Sequence, residues 1–315
     1  MNWIDMGGYL ANPRLSRKIR LVALPLMRFR QFVRPEPGYG KNVGDKIDFI
    51  RVSEVLSPGR AIGEDEEVPE TNLQITKSYL QVTEYGNSIP YTGKLEALSE
   101  FDPENLIQEA LRRDMAKTLD AVIGNVFRNT KYIYTPTGTS ENPDFVFTNT
   151  GTPGAVATRP ISGWDISKLR LLAKGKTAGV GIPPYDGTNY MAICSVGAYE
   201  QIYNDPAFVE ASKYGDPDRL FNGEVGRWRQ IRFIEENNVL DDTLPVNNVP
   251  GELIFFGEDP VVEGVVIPEE IRADIPKDFG RKKKLGWYYL GGATLSFWEA
   301  GWGLCRVIRV YGASE

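Results

Sequence analysis

The sequence predicts an α+β fold in which one long helix braces a flat subunit. The chain has 315 residues with 42% hydrophobic content, which is enough to bury a sizeable core. Residues 102–129 are typical of a single long amphipathic helix, and strand-like segments lie in separate runs on either side of it. The first 45 residues have no sustained hydrophobic period, so they are predicted to be an extended arm.

The arm, residues 1–45, is punctuated by Pro13, Pro25, Pro35 and Pro37. It is not compositionally disordered, because the run LVALPLM and nearby aromatic residues are apolar. Such a segment gains little alone in water but can bury its apolar side chains on a partner surface. We therefore expect the arm to lie on another surface.

Two segments rich in β-branched and aromatic residues, 46–56 and 73–85, are predicted strands. The acidic, Gly- and Pro-bearing stretch SPGRAIGEDEEVPET connects them. The apolar positions of the second strand change parity near Leu80, which indicates a bend or bulge that turns the buried face over. An isolated two-stranded ribbon is marginal in water, so this one is expected to dock on something.

Residues 102–129 give the strongest helix signal. Asp102 suits the N-cap, Pro103 the first helical position and Glu104 the first turn. Apolar residues recur at a spacing close to four, which makes the apolar stripe drift around the helix. About 26 residues give a rod of about 39 Å, long enough to span a subunit.

The remaining elements follow from shorter patterns. Residues 130–160 are rich in Thr, Gly, Pro and Asn, which favours a surface excursion with room for one short hairpin. The other predicted elements are a helix at 165–174, a buried strand at 190–195, a short helix at 196–203, a strand at 227–236, a buried strand at 252–257, a short helix from Asp259, and strands at 287–299 and 304–311.

Composition excludes several kinds of site. The chain has no histidine, which rules out Ser-His-Asp and Cys-His triads, His-bearing zinc sites and a histidine general base. Carboxylate, lysine or tyrosine chemistry stays open. The two cysteines, Cys194 and Cys305, lie in apolar runs and are expected to be buried reduced thiols. No cofactor or catalytic residue is predicted.

No apolar run approaches the roughly 18 residues of a membrane span. The run LVALPLM is interrupted by Pro25 and followed by MRFRQF, which offers no small-residue cleavage site. We expect a soluble protein made in a reducing cytoplasm, without a membrane partner.

The net charge of −6 is unevenly distributed. Residues 1–34 carry seven basic side chains against Asp5, a net +6, so the rest of the chain carries −12. The arm and the acidic stretch between the first two strands would meet most naturally between neighbouring copies, where several weak pairs could set register. This hypothesis assigns inter-subunit contacts to Arg14, Arg17, Lys18 and Arg20 on the arm and to Glu64, Asp65, Glu66 and Glu67 on the acidic stretch.

Other charged motifs favour ordinary surface roles. Lys174–Thr177 (KGKT) fails the phosphate-loop pattern because Arg170 stands where a glycine is needed. The acidic stretch lacks the ligand spacing of a calcium loop. Arg281–Lys284, which precedes LGWYYL, could bind single strands but is more typical of a turn between strands. A carboxylate-only glycosidase would need two acidic residues on opposite sides of a sugar-sized cleft, whereas adjacent acids on loops are usually solvated. The pairs of adjacent acids are Glu235/Glu236, Asp241/Asp242, Glu258/Asp259 and Glu269/Glu270.

These parts in this order resemble the major capsid protein of tailed bacteriophages, with the HK97-like fold. The segment Asn222–Arg227 (NGEVGR) followed by Ile231–Glu235 (IRFIE) is similar to the NGEIGR…VRFVE segment of the N4-type major capsid family. Lys41–Phe49 (KNVGDKIDF) resembles the start of that family's extended loop. Gln230 departs from the small residue common in the family, and residues 130–160 align with no motif.

The resemblance implies five regions, which are an N-terminal arm 1–45, an extended β-hairpin loop 46–92, a peripheral domain 93–184 with the spine helix, an axial domain 185–284, and C-terminal strands 285–315 that return to the peripheral domain. It further implies that Asn222–Gly223 make a turn before the strand. The arginines of that strand, among them Arg227 and Arg229, would form salt bridges or face a neighbour.

The implied function is a self-assembling icosahedral shell of hexamers and pentamers around a double-stranded DNA phage genome. Its implied partners are further copies, a scaffolding protein, a portal, an optional decoration protein, and DNA bound without sequence specificity. The implied location is the virion. The alternatives are an encapsulin-like non-viral shell, a carboxylate-based carbohydrate-active enzyme and a virion accessory such as a decoration or fibre protein.

Overall fold

The computed structural model describes residues 28–36, 44–52, 59–64, 66–70, 75–99, 102–175, 180–213, 227–240, 251–276, 278–297 and 305–311. The helices of these residues are α1 Gly93–Leu98, α2 Pro103–Arg128, α3 Gly163–Lys174, α4 Val196–Tyr203 and α5 Pro206–Lys213, with a 3₁₀ turn at Arg30–Phe32. The strands are β1 Val33–Pro35, β2 Lys46–Val52, β3 Ile75–Gln81, β4 Thr83–Thr92, β5 Tyr132–Gly138, β6 Pro143–Thr148, β7 Tyr190–Cys194, β8 Arg227–Trp228, β9 Ile231–Glu235, β10 Glu252–Phe256, β11 Val261–Ala273, β12 Lys282–Leu295 and β13 Val307–Tyr311.

These strands form three sheets among the described residues. The large sheet has the order β6-β5-β13-β10-β7-β9-β8, and the spine sheet has the order β1-β11-β12-β4. The ribbon consists of β2 and β3, paired antiparallel from Lys46↔Gln81 to Val52↔Ile75. Helices and strands are segregated rather than alternating, so the predicted α+β class is confirmed.

The spine helix α2 confirms the prediction for 102–129. The Asp102 carboxylate accepts a hydrogen bond from Glu104 N at 3.0 Å, and Pro103 occupies the first turn, where its missing N–H costs nothing. The helix ends before Asn129. Its first half packs on the spine sheet, where Trp287 of β12 also donates to the Asp114 carboxylate at 2.8 Å.

The second half of α2 packs on the large sheet, which is buried on both faces. In β10, Leu253 and Phe255 face the cluster that contains α3 and α4, while Ile254 and Phe256 face α2. A strand covered on both sides reads as a continuous apolar run, which explains why this strand is recognisable from sequence. Helix α2 therefore joins the two sheets.

Both cysteines are buried free thiols, as predicted. Burial raises the pKa of the Cys194 thiol, so it behaves as a small apolar side chain within β7.

The predicted strand 227–236 is wrong as a single element. Arg229 and Gln230 form a tight turn between β8 and β9, with φ of 50° and 66°. Two consecutive left-handed residues make the turn type that matches strand twist in hairpins, but that turn usually carries Asn or Gly. Because these residues are neither, the sequence gives no turn signal there.

The short helix predicted from Asp259 is also wrong, because β11 starts at Val261. Asp259 itself has a φ of 53°, which turns the chain sharply after β10. The residues that follow are rich in valine, and both neighbours in the spine sheet, β1 and β12, pair with them. Sheet pairing thus overrides the weak local helix signal.

Residues 130–160 are more than a surface excursion. They hold the expected hairpin, β5–β6, but β5 lies inside the large sheet beside β13, and Tyr132–Tyr134 are buried. The parallel pairing of β5 with β13 joins residues more than 170 positions apart, such as Tyr132 and Ile308. Local composition cannot reveal such a contact.

The C-terminal strands also differ from expectation. Strand β12 begins at Lys282, so Lys282–Lys284 lie in the strand and not in the preceding turn. Strand β13 belongs to the large sheet, whereas β12 belongs to the spine sheet. Strand β12 spans the boundary predicted between 284 and 285, and the domain division at 93–184, 185–284 and 285–315 stays a prediction.

Candidate assembly surfaces

The ribbon has one docked face and one open face. Leu80 and Phe49 point inward and pack with Val262 of the spine sheet. At its base the ribbon crosses β12 so closely that a Cβ on Gly292 would lie 2.2 Å from the Gln81 carbonyl oxygen. The predicted bend occurs at Val82, which separates β3 in the ribbon from β4 in the spine sheet. The parity behind the prediction was wrong, because Ile75 and Tyr79 are exposed and the buried positions change from even in β3 to odd in β4.

The open face carries large apolar side chains. Pairing puts residues 48, 50 and 52 on the same side as residues 79, 77 and 75. The apolar members of this face are more than half exposed, namely Ile50, Val52, Ile75 and Tyr79. Contiguous exposed apolar surface marks a contact site.

The acidic segment, residues 59–70, lies beyond the ribbon strands. Its described residues are exposed, including Glu64, Glu66 and Glu67 from the predicted contact set. Arg60 pairs with Glu66 at 3.0 Å, and Gly63 N donates to the same carboxylate, which holds a local turn. Asp65 lies outside the described residues.

The arm prediction is covered only at its C-terminal end. Arg14, Arg17, Lys18 and Arg20 lie outside the described residues, as do Asn222 and Gly223. Residues 28–36, here called the strap, insert between the two sheets. Strand β1 of the strap pairs parallel with Val261–Glu263 at the edge of the spine sheet.

Two aromatic side chains anchor the strap. Phe29 is fully buried against Phe127 of α2, and Phe32 packs edge-on to Phe256 of β10. Gly124 of α2 makes the room, because a Cβ there would lie 2.9 Å from the Phe29 ring. The strap thus touches α2 and both sheets in one cluster.

Charges reinforce the strap. Arg30 donates to both carboxylate oxygens of Glu269, at 2.9 and 3.1 Å, and to Glu263 at 3.3 Å. Tyr289 donates to Glu263 at 2.7 Å. Hydrogen bonding to Arg30 lowers the pKa of the Glu269 carboxyl. Arg30 is one of the seven basic residues of positions 1–34, but its role as an anchor could not be predicted from sequence, because its acidic partners lie over 230 positions away.

The hairpin β8–β9 is clamped onto its own chain. Arg229 donates to the Gly163 carbonyl at 2.8 Å and lies over the Trp228 ring at 4.8 Å. A Cβ on Gly163 would lie only 2.2 Å from that ring, so glycine at the start of α3 admits Trp228. Arg232 pairs with Asp186 at 3.0 Å, which confirms the expected salt bridge for one arginine of this strand.

The predicted contact roles of Arg227 and Arg229 stay predictions. The backbone of Arg227 lies in the two-residue strand β8, at one edge of the large sheet. The residue Arg229 is exposed even though its guanidinium is engaged within the chain.

Several carboxylates of the described acidic pairs are engaged within the chain. Glu236 is buried and accepts from Val239 N and Leu240 N at 2.9 and 3.0 Å, while burial raises the pKa of its carboxyl. Asp259 pairs with Arg34, and Glu270 pairs with Arg272. These carboxylates, with Glu269, hold loops and strands in place; Asp241 and Asp242 lie outside the described residues.

Two further properties of the described residues concern metal binding and membrane insertion. No group of three or more Cys, Asp or Glu side chains could hold a metal ion among them. Within the same residues, no helix combines the length and apolarity needed to cross a bilayer.

The sequence and the fold are both similar to those of known proteins. The sequence profile of a family described as phage capsid protein matches residues 76–302. No curated protein matches the chain by sequence.

Solved structures share the fold at low identity. The chain is similar to the capsid of cyanophage Pam1 (14% identity, TM-score 0.71) and to an acid-stable capsid of Helicobacter pylori bacteriophage KHP30 (14%, 0.72). It is also similar to the capsid of Ralstonia phage GP4 (14%, 0.66). Each match covers 96% of both chains. The predicted HK97-like fold is thereby confirmed.

Proposed function

The chain belongs to the phage capsid protein family, and from this premise we propose how its surfaces build a shell. It is a major capsid protein, a subunit of the icosahedral shell of the virion. We propose that hexamers and pentamers of this chain enclose double-stranded DNA. The observation that carries the proposal is the combination of this family membership with a ribbon whose open face is apolar.

The fold suggests how the subunit is divided. We propose that the peripheral part consists of α2 and the spine sheet, and that the axial part is the large sheet with α3 and α4. This division groups elements that share a buried cluster and does not follow contiguous residue ranges, since each part has its own cluster. The ribbon is the extended loop and the strap is the anchored end of the arm.

The ribbon is proposed to lie over an adjacent subunit. Its inner face is used by its own spine sheet, while its outer face leaves Ile50, Val52, Ile75 and Tyr79 in water. Burying such side chains contributes roughly 1.5–3 kcal/mol each at full burial. In a shell every subunit has a neighbour, whose surface can bury the open face of the ribbon.

The basic arm and the acidic segment are proposed to meet between copies. Exposed charges contribute little singly, so their role is register and orientation rather than affinity. We expect reversal of Glu64, Asp65, Glu66 and Glu67 to lysine to stop assembly while leaving a folded monomer.

Sedimentation velocity and circular dichroism of that variant test the contact. A folded chain that sediments as monomer or capsomer supports it. A variant that still forms wild-type particles contradicts the arm contact without touching the shell assignment.

The remaining partners are inferred from the family resemblance. We propose a scaffolding protein, a portal and an optional decoration protein as partners, and synthesis in the host bacterial cytoplasm. We propose that the chain is not an enzyme, because in each described acidic pair at least one carboxylate is engaged in an ion pair or a loop cap. The N4-type subgroup is proposed from the segment NGEVGR and IRFIE.

A further inference from the structure

The hairpin joining β11 to β12 ends in an exposed apolar point. The last residues that β11 and β12 pair with each other are Ala273 and Leu285, while Lys282–Lys284 still pair with β4 in the spine sheet, so the turn at Asp278–Gly280 lies beyond these pairs. Phe279 is fully exposed, at 106% of its reference area, and Ile275 is 82% exposed. Single exposed apolar residues are ordinary, but two at one projecting turn form a contact-like tip.

The backbone of this turn is left-handed at three consecutive residues. Asp278, Phe279 and Gly280 have φ of 55°, 52° and 86°. The left-handed region suits glycine, whereas a bulky side chain there is an outlier that usually has a functional reason. Arg281 N closes the turn on the Asp278 carbonyl at 3.0 Å.

Basic residues flank the apolar point. Arg281, Lys282 and Lys284 are exposed and follow the turn directly. The hairpin tip, residues 274–284, therefore combines an aromatic point with a positively charged base. A complementary surface would be acidic with exposed apolar residues.

The acidic segment 59–70 has that chemistry. Ile62 and Val68 are 45% and 72% exposed, and they lie on either side of the exposed glutamates Glu64, Glu66 and Glu67. The segment and the hairpin tip are complementary in charge, and each offers apolar surface that its own chain leaves in water.

The two surfaces leave the spine sheet at opposite ends. At one end of β12, Lys282 pairs with Thr92 beside the hairpin tip; at the other, Gly291 pairs with Thr83 next to the ribbon. Nine strand steps between them amount to about 30 Å. The inner face of the ribbon packs on Val262, at the end of the spine sheet remote from the tip. These positions favour a contact between copies over one within a single chain.

We propose that the hairpin tip binds the acidic segment of a second copy of this chain, with Phe279 as the apolar anchor. The proposal rests on the proposed function, because only a self-assembling chain presents both surfaces repeatedly. It gives the acidic segment a different partner from the arm, and the charge exchange described below decides between the two partners.

Phe279→Gly gives the first test. Glycine relieves the left-handed strain, so the melting temperature is expected not to fall, yet the anchor is lost. We expect at least a tenfold smaller fraction of assembled particles in sedimentation velocity at equal concentration. Phe279→Leu, which keeps an apolar point, is the matched control and should assemble. Wild-type assembly by Phe279→Gly overturns the proposal.

Charge exchange tests the partner surface. Glu66→Lys with Glu67→Lys should impair assembly, and adding Lys282→Glu with Lys284→Glu should restore it. Restoration only by Arg14→Glu with Arg17→Glu, or by neither exchange, overturns the tip contact. Failure of the wild-type chain itself to assemble would instead contradict the proposed function.

Discussion

At the residue scale, buried charges fix the junction between the spine helix and the large sheet. The Glu252 side chain is fully buried in β10 and accepts from Arg128 of α2 at 3.2 Å and from Arg309 of β13. Arg309 also donates to the Arg128 carbonyl at 3.3 Å. The Glu252 carboxylate therefore supplies the counter-charge for both Arg128 of α2 and Arg309 of β13.

We expect Glu252→Gln to destabilise the chain by about 3–5 kcal/mol, because two largely buried guanidinium groups lose their counter-charge. Chemical denaturation followed by circular dichroism measures this. Glu109→Gln is the control, since it breaks only the partly exposed pair with Arg113 on α2 and should cost under about 0.5 kcal/mol. Equal costs for both variants would show that Glu252 does not hold the junction.

The Arg30–Glu269 pair makes a pH prediction. Arg30 lowers the pKa of the Glu269 carboxyl, so its contribution to stability is present above the unfolded pKa of about 4.3 and is lost as pH falls through the lower folded value. We expect about 0.5–1 kcal/mol, because both side chains are about one-third exposed.

Thermal unfolding between pH 3 and pH 7 tests this pair. Relative to wild type, Glu269→Gln should lower the melting temperature at pH 7 and converge with it at acid pH. In an Arg30→Ala background the same substitution should have little pH-dependent effect. A constant difference at every pH contradicts the assignment.

At the element scale, the described side chains that dock the ribbon on the spine sheet are Leu80 and Phe49, with Val82 packed beside them. Leu80 is fully buried while its neighbour Tyr79 is 60% exposed on the opposite face. We expect Leu80→Ala to release the ribbon, raising hydrogen exchange in Lys46–Val52 and Ile75–Gln81 by at least tenfold with little change in the global melting temperature. Tyr79→Ala is the control and should leave exchange in the isolated subunit unchanged. Unchanged exchange in Leu80→Ala would mean that the ribbon does not dock through this residue.

The elements that could be predicted from sequence are those whose signals are local. The spine helix could be predicted from Asp102, Pro103 and its apolar spacing. The bend at the end of the second ribbon strand could be predicted from the shift in apolar positions near Leu80. The turn at Arg229–Gln230 could not be predicted, because its left-handed backbone is imposed by the clamp of Trp228 on Gly163. Strand β11 was hidden because pairing on both sides decides it.

The candidate surfaces divide in the same way. The acidic segment is visible in composition alone, and its described glutamates are exposed as that composition suggests. The strap and the hairpin tip could not be predicted, since the partners of Arg30 and the left-handed backbone of Phe279 arise only in the folded chain. The charge of a segment can be predicted from its sequence, whereas the position of that segment relative to the end of a sheet cannot.

At the scale of the whole molecule, the chain is organised for contact with copies of itself. The interior is held by α2 and the strap, which tie both sheets together. The exterior offers an apolar ribbon face, an acidic segment and a basic apolar tip that departs from the other end of the spine sheet. A subunit with complementary surfaces at opposite ends can tile a closed shell.

The most direct test is electron microscopy of the purified full-length chain after size exclusion, with light scattering of the same fractions. We expect closed shells, or hexamers and pentamers that close into shells when a scaffolding protein or crowding agent is added. A uniform monomer or dimer that never assembles under either condition would contradict the claim that this chain builds a capsid.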